Sequence, residues 1–228
     1  MTSLRVELVP FLLSFVAGMV DVTSYVLLHG LFTAHITGNV VVLAADAAVH
    51  RPVRATVVLA VAVFIAVTAA LTVVVDRSQR PPYRWAAPFL WLQFALLVAA
   101  ALLAGPGVET AVALLAVAAM ACQNALLHLT FRRAPSTAVM TGNIVASTVA
   151  LVGLATGRSR TPATRAADRV AWTTLRPLLF GFVAGCVLGA AASEVVDRLA
   201  WLVPAVTSGL LAAGVTKSGL PVPLRREE

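Results

Sequence analysis

Two copies of one polar motif stand inside apolar stretches of this sequence. TAHITGNVVVL at residues 33–43 and TAVMTGNIVAS at residues 137–147 are identical at six of eleven positions, with a constant offset of 104. A helix that starts or breaks inside an apolar medium frees backbone groups, which polar side chains or a water-filled cavity must satisfy. The motifs therefore predict two interrupted helices around a binding site. Their candidate site residues are Thr37, Gly38, Asn39, Thr141, Gly142 and Asn143.

Each residue type of the Thr-Gly-Asn triplet has its own expected role. The two threonines are predicted to cap the half-helices that follow, since Thr is a favoured N-cap residue. The two glycines can take backbone angles that other residues avoid, which allows a helix to start or break there. The two asparagines can satisfy freed backbone groups or offer an amide to a ligand. The alternative is that these residues only pack two helices closely, with Asn as an interhelical hydrogen-bonding group.

Further polar side chains precede each motif by a similar distance. Asp21 and, one turn later, Tyr25 lie upstream of the first motif, and Gln123 and Asn124 lie upstream of the second. An ionisable residue inside a membrane span is costly and is by default a functional-site hypothesis. The pattern predicts a proton or cation site on Asp21 and a substrate contact on Gln123 and Asn124. In the alternative, Asp21 forms a purely structural hydrogen bond across the repeat interface.

The elements that position these residues are predicted to be membrane-spanning helices. Of the 228 residues, 60% are hydrophobic and 12% charged, whereas about a quarter of the residues are charged in soluble domains. The apolar runs are continuous rather than alternating, which excludes a β-barrel. They form one integral membrane domain over residues 1–228, with repeat halves at about 8–105 and 108–216. The runs cover residues 8–28, 31–45, 55–75, 85–105, 110–131, 134–157, 177–193 and 199–216.

Six to eight of these segments can be drawn as spans, and basic residues help to choose. With six full spans, and both Thr-Gly-Asn segments entering and returning on one side, 14 Lys and Arg residues lie inside and 3 outside. Eight spans give 11 and 6, and seven give 13 and 4. The positive-inside rule favours six over eight, and the run 31–45 is too short to cross a core about 30 Å thick. The predicted fold is therefore an all-α polytopic bundle of six spans plus two interrupted or re-entrant helices.

An odd number of spans in each half would turn the second half upside down relative to the first. Inverted repeats with broken helices that meet near the midplane are a recurrent plan of secondary transporters. The seven- and eight-span models make the two copies parallel and weaken this argument. The two-fold repeat and its inversion are expectations of the six-span model.

The residues quoted above resemble those of a known family. The stretch from Gly18 through Asp21 and Tyr25 to the first motif, with Gln123, Asn124 and the second motif, is similar to the YoaK-type family of bacterial membrane proteins. The resemblance runs over about residues 10–215. It implies a multi-pass protein of the bacterial inner membrane and supplies no substrate, because the family is a domain of unknown function. The basic stretch 158–176 is long and departs from the resemblance.

The leading hypothesis is a small-solute secondary transporter or permease, with a proton or cation as the candidate coupling ion. The alternative is a non-catalytic membrane scaffold or partner-binding protein in which the polar motifs serve helix packing. No nucleophile–base pair or P-loop is visible, so no enzyme activity, cofactor or metal is expected. The expected partners are the lipid bilayer and the solute, without nucleic acid, because the arginines of this +7 chain lie in short loops.

Two further groups of residues carry weaker expectations. His29, His35 and His128 lie near predicted helix ends, where histidines can sense pH, although solvation without a function is the first interpretation. Gly181, Gly185 and Gly189 recur at four-residue spacing, which lets helices approach closely. Packing within the bundle is the first interpretation of this glycine stripe, and a homo-oligomer interface is the second.

Overall fold

Eight α-helices make up most of the part of the chain that the structure describes. The structure is a computed structural model that describes residues 8–131, 135–137, 139–157 and 161–218. These ranges contain no β-strand, so the predicted all-α class is confirmed. The helices are α1 (Leu8–Leu27), α2 (Ile36–Ala48), α3 (Ala55–Arg77), α4 (Ala86–Leu103), α5 (Glu109–Ala125), α6 (Met140–Thr156), α7 (Pro162–Val195) and α8 (Leu202–Ser218). Short 3-10 turns precede α4 and α8, and a π-helical turn at Leu126–Thr130 extends α5.

Six described helical segments are long and apolar enough to cross a membrane, as predicted. They are Leu8–Leu27, Ala55–Arg77, Pro82–Leu103, Glu109–Thr130, Pro162–Val195 and Asp197–Lys217. The two motif helices are shorter, with 13 residues in α2 and 17 in α6. At 1.5 Å per residue they reach roughly 20 and 25 Å, less than the hydrocarbon core. The uncharged run 134–157 looks long enough to cross, but its helix begins only at Met140.

The end of α1 and the start of α3 lie on the same face of the bundle. The Arg54 guanidinium, at the start of α3, donates to the backbone carbonyl of His29, just after α1. The hydroxyls of Thr56 and Thr110 lie 2.8 Å apart and bring the start of α5 to this face as well. We call it the His29 face. Residues 28–54, which include α2, connect the end of α1 with the start of α3, and both of these lie on the His29 face. This segment therefore enters the bundle and returns on the same side.

The opposite end of the bundle is defined by two other contacts. Trp91 Nε1 of α4 donates to Thr216 Oγ1 near the end of α8 at 3.0 Å. The hydroxyl of Thr130, after α5, donates to the carbonyl of Pro82 at 3.3 Å. We call this end the Pro82 face. α7 runs from this end towards the His29 face, where Arg198 borders a small cavity together with residues at the end of α1. α6 therefore starts from and returns to the Pro82 face, opposite to α2.

The helices pack in a regular set of pairs. α1 packs along α7, and α3 packs along α5. α2 lies on α3, α6 lies on α7, α4 contacts α5, α1 contacts α8, and α4 contacts α8. Exchanging α1–α4 with α5–α8 in order leaves this set of pairs unchanged.

The α1–α7 pair contains a glycine seam, formed by Gly18, Gly181, Gly185 and Gly189. A Cβ at Gly185 would overlap the carbonyl oxygen of Phe15 and lie 2.9 Å from the backbone nitrogen of Met19. Only glycine permits such an approach of two helix backbones. The predicted glycine stripe thus packs within the bundle.

The basic stretch 158–176 is helical from Pro162 onwards. Thr161 begins α7 with a capping box, in which the backbone nitrogen of Thr164 donates to the Thr161 hydroxyl at 3.1 Å. α7 has 34 residues, which is about 50 Å and longer than the membrane core. Residues 158–160 of the stretch lie outside the described residues.

Candidate functional site

Asn39 and Asn143 hold the same position in the two motifs and make the same kind of contact. Asn39 is fully buried; its Oδ1 accepts from the backbone nitrogen of Phe32 at 2.9 Å, and its Nδ2 donates to the Phe32 carbonyl at 2.7 Å. Asn143 Nδ2 donates to the carbonyl of Ser136 at 2.8 Å. In both copies the partner stands seven residues earlier. Each amide thus fastens the non-helical entry segment to its short helix and satisfies backbone groups at membrane depth.

The threonines and glycines of the motifs act differently from the prediction. α2 and α6 begin at Ile36 and Met140, so the N-cap positions belong to His35 and Val139, and neither makes a side-chain cap. Thr37 and Thr141 therefore lie inside the first turn and do not cap it. Gly38 and Gly142 lie inside the helices and have no positive φ.

Gly38 is instead required for space. A Cβ there would lie 2.7 Å from the Phe32 ring. The counterpart Gly142 would meet only the Val139 side chain, at 3.2 Å. The first copy of the motif is therefore packed more tightly around its glycine than the second.

Asp21 is buried about two-thirds of the way along α1, where its carboxylate accepts four hydrogen bonds. Oδ1 accepts from the Thr33 backbone nitrogen at 2.7 Å, the Thr33 hydroxyl at 3.0 Å and the Ala34 backbone nitrogen at 2.6 Å. Oδ2 pairs with Nδ1 of His35. All four donors belong to three consecutive residues just before α2. The carboxylate thus holds the entry segment of the first short helix.

Gln123 performs the corresponding task in the second half with an uncharged amide. Its Nε2 donates to the Thr137 hydroxyl at 3.1 Å and to the Leu13 carbonyl at 2.9 Å. Its Oε1 accepts from Gln93 Nε2 at 2.8 Å. Thr33 and Thr137 are matched positions of the two motifs, so each is held by a polar side chain of the preceding span. Gln123 and Gln93 are both buried and have a structural role.

A cavity of about 720 Å³ lies between the two entry segments. Its walls come from the start of α2, the second half of α3, the end of α5 with its π-helical turn, and the segment before α6. π-helical turns are frequent at functional sites. The lining residues are Ala34, His35, Ile36, Thr37, Phe64, Thr68, Thr72, Asn124, Ala125, Leu127, His128, Leu129, Ser136 and Val139.

The predicted site residues divide into three groups around this cavity. Thr37 and Asn124 line it directly, and Asp21 reaches it through His35. Tyr25 is half exposed, with its ring against Phe32. Gly38, Asn39, Gln123 and Asn143 contact or hold the entry segments. Tyr25, Thr141 and Gly142 do not line the cavity.

Four lining residues were missed by the sequence analysis. His35 and His128 were expected to be solvated or to sense pH and were not included among the site residues, and Thr68 and Thr72 were not considered. The two threonines are spaced by one helical turn inside a strongly apolar span, which is a detectable signal. The Thr68 hydroxyl oxygen is buried without a hydrogen-bond partner. His35 is signalled by the repeat itself, because the matched residue of the second copy is Val139.

A metal site has no support in the geometry. Within residues 8–131, 135–137, 139–157 and 161–218, no three His, Cys, Asp or Glu side chains come together as a metal site would require. His35 and His128 contribute one imidazole each to the cavity wall. The cavity can therefore offer imidazole, hydroxyl and amide groups beside apolar surface.

Comparison with known proteins identifies a family for the chain. A family model described as "Protein of unknown function (DUF1275)" matches residues 9–214. No curated protein and no solved structure matches the chain. The matched region contains all eight helices almost completely, both motifs and every residue that lines the cavity. The chain therefore belongs to the DUF1275 family of proteins of unknown function.

Proposed function

We propose that the protein is a secondary transporter or permease for a small solute, and that the cavity is its solute site. The observation that carries this proposal is a cavity of about 720 Å³ lined by residues of both halves, beside a buried carboxylate. Ligand pockets usually measure about 300–1,000 Å³ and combine apolar walls with a few polar groups. Within a bundle of six apolar spans, such a pocket suits a solute that crosses the membrane.

The course of the chain supports an inverted repeat. α2 enters from the His29 face and α6 from the Pro82 face. The helix pairs are unchanged when the halves are exchanged, and Asn39 and Asn143 make matched contacts. Inverted repeats whose broken helices frame a central site are typical of secondary transporters. We therefore assign α1–α4 and α5–α8 as inverted repeats around the cavity.

The distribution of basic residues supports an orientation in the membrane. Among the described residues, only Arg51, Arg54 and Arg198 lie at the His29 face. Arg77, Arg80, Arg84 and the arginines in the first half of α7 lie towards the Pro82 face. By the positive-inside rule, the Pro82 face is cytoplasmic. We place the protein in the bacterial inner membrane, as the sequence resemblance implies.

The polar groups of the cavity supply contacts for a solute. Thr68 carries a buried hydroxyl without a partner, and burying such a group is unfavourable. Asn124 uses its Nδ2 on the carbonyl of Met120 at 2.9 Å, which leaves its amide oxygen available. A solute that accepts from Thr68 and donates to Asn124 would satisfy both groups. Thr72 and Thr37 extend the polar wall on either side.

Solute-evoked charge displacement and uptake test this proposal. Proteoliposomes are exposed to a panel of small sugars, amino acids, organic acids and organic cations, and active solutes are followed as radiolabelled uptake. We expect at least one active solute, and Thr68→Val should reduce its uptake. Thr207→Val is the matched control, since the Thr207 hydroxyl is exposed and bonds only to Val203 of its own helix.

Solvent access to the cavity gives a test that needs no solute. A single cysteine replaces Thr72 in a background without the two native cysteines, and a membrane-impermeant thiol reagent is added to either side. We expect modification of the cysteine, because Thr72 lines the cavity. Absence of modification from both sides would contradict a water-filled solute site. With no active solute as well, it would favour the scaffold hypothesis, in which Asp21→Asn lowers stability only.

A further inference from the structure

We infer that Asp21 and His35 together form a proton-binding site, and that the ion coupled to transport is H⁺ rather than a metal cation. The coupling part rests on the proposed transport function. The proton site itself rests on the geometry of the pair and can be tested without any solute. The sequence alone left both a proton and a cation open at Asp21.

The contacts of the carboxylate exclude a metal cation. Cations such as Na⁺ and Ca²⁺ are held by several oxygen atoms that direct lone pairs at the ion. Around Asp21, Oδ1 faces two backbone N–H groups and the Thr33 hydroxyl, and Oδ2 faces the His35 ring. A cation would have to displace these donors and would find positively polarised hydrogens in their place. The carboxylate is therefore arranged to accept hydrogens.

The charge of the pair explains why it holds a proton. A carboxylate beside a neutral imidazole carries one negative charge, and a carboxylate beside an imidazolium carries none. An uncompensated charge at membrane depth is costly. The other titratable groups facing the pair among the described residues are the Cys186 thiol of α7, near Gly18 on α1, and His128 across the cavity. From α3, Phe64, Thr68 and Thr72 contribute no charge.

His35 provides the route by which the proton enters. Its side chain is 24% exposed, whereas that of Asp21 is 5% exposed. Because an ionised carboxylate can only accept, Nδ1 must carry the hydrogen of this contact, and the lone pair for a new proton is on Nε2. Uptake forms the Nε2–H bond and leaves the positive charge on the ring, while the Nδ1–H hydrogen bond persists. Release returns the same proton from Nε2 to the cavity water.

The position of the pair connects its charge to the helices around the cavity. His35 is the N-cap residue of α2, and its ring contacts the Phe182 ring of α7 edge-on, with centroids 5.3 Å apart. A change of charge at His35 therefore acts at the junction of α1, α2 and α7. The second half has Val139 at the matched position and holds Thr137 with an amide. Among its described residues, 135–137 and 139, this entry segment has no equivalent Asp–His pair.

Charge displacement on a solid-supported membrane tests the proton site directly. Proteoliposomes of the full chain are given a pH jump without solute and, separately, an exchange of choline chloride for sodium chloride at constant pH. We expect a transient charge movement on the pH jump and none on the sodium exchange. In Asp21→Asn and in His35→Val, the pH-evoked charge should fall to the level of protein-free liposomes.

The variants are chosen so that misfolding does not decide the result. Asparagine can still accept at Oδ1 from Thr33 and Ala34, and His35→Val installs the residue of the second copy. His50→Asn is the control, because His50 is exposed outside the cavity and asparagine tolerates its positive φ of 56°. A sodium-evoked charge, or a pH-evoked charge that survives in both folded variants, would overturn the inference. If the pH response is found but no solute is active, only the proposed transport function fails.

Discussion

Replacing Asn39 by alanine tests whether the repeated amide holds the first entry segment in place. Both hydrogen bonds to Phe32 disappear, at 2.9 Å from its nitrogen and 2.7 Å to its carbonyl. A buried polar group left without its partner costs about 1–3 kcal/mol. Two such groups give a loss of roughly 2–6 kcal/mol in the free energy of unfolding. Asn39 is fully buried, so water does not readily replace the amide.

The assay is reversible unfolding in mixed micelles, followed by helical circular dichroism, with two matched asparagine variants. Asn124→Ala removes an amide that bonds only to Met120 of its own helix, and should cost about 0.5–1.5 kcal/mol. Asn143→Ala removes the contact with Ser136 and should cost more than Asn124→Ala. If Asn39→Ala is no more destabilising than Asn124→Ala, the proposed fastening role of the motif asparagine is wrong.

Two further predictions concern the seam and the orientation of the chain. Gly185→Ala should lower the unfolding free energy by about 1–3 kcal/mol, as overpacking usually does, since its Cβ would overlap the Phe15 carbonyl. Gly142→Ala should cost less in the same unfolding assay, because its Cβ would meet only the Val139 side chain, at 3.2 Å. Single cysteines at Val49 and Ala163 should react with an impermeant thiol reagent from opposite sides, with Val49 labelled in intact cells. Labelling of both sites from outside would contradict the assigned re-entrant course of α2 and α6.

The spans of this protein are predictable because they depend on length and apolarity alone. A run such as 55–75 needs no tertiary information to be recognised as a span, and the arginine distribution favours six spans over eight. The start of α6 is different. Residues 134–139 carry no charge, like the helix that follows them, so the uncharged run alone does not show that the helix begins only at Met140. That boundary depends on contacts such as the one between Asn143 and Ser136.

The sequence identified several residues of the candidate site but not the role of each. Asp21 was identified because a charged side chain inside a span is energetically costly. Hydrogen-bond donors from residues 33–35 compensate this cost. Gln123 was expected to contact a substrate, yet it is buried and holds Thr137. His35 was considered as a pH sensor, but its position near a helix end favoured plain solvation. Its pairing with Asp21 joins residues 14 positions apart and arises only when the entry segment folds back along α1.

The glycine seam means that the sequence halves are not the mechanical units of the molecule. Because the seam locks α1 of the first half to α7 of the second, these helices are expected to move together, and α6 lies on the same unit. α3 and α5 form the complementary unit and carry α2. Each unit thus draws helices from both halves, and Asp21 and Gln123 tie one unit to the other. Replacing one sequence half by that of a relative would therefore disrupt both units. Replacing the seam residues of α1 and α7 together would keep each unit intact.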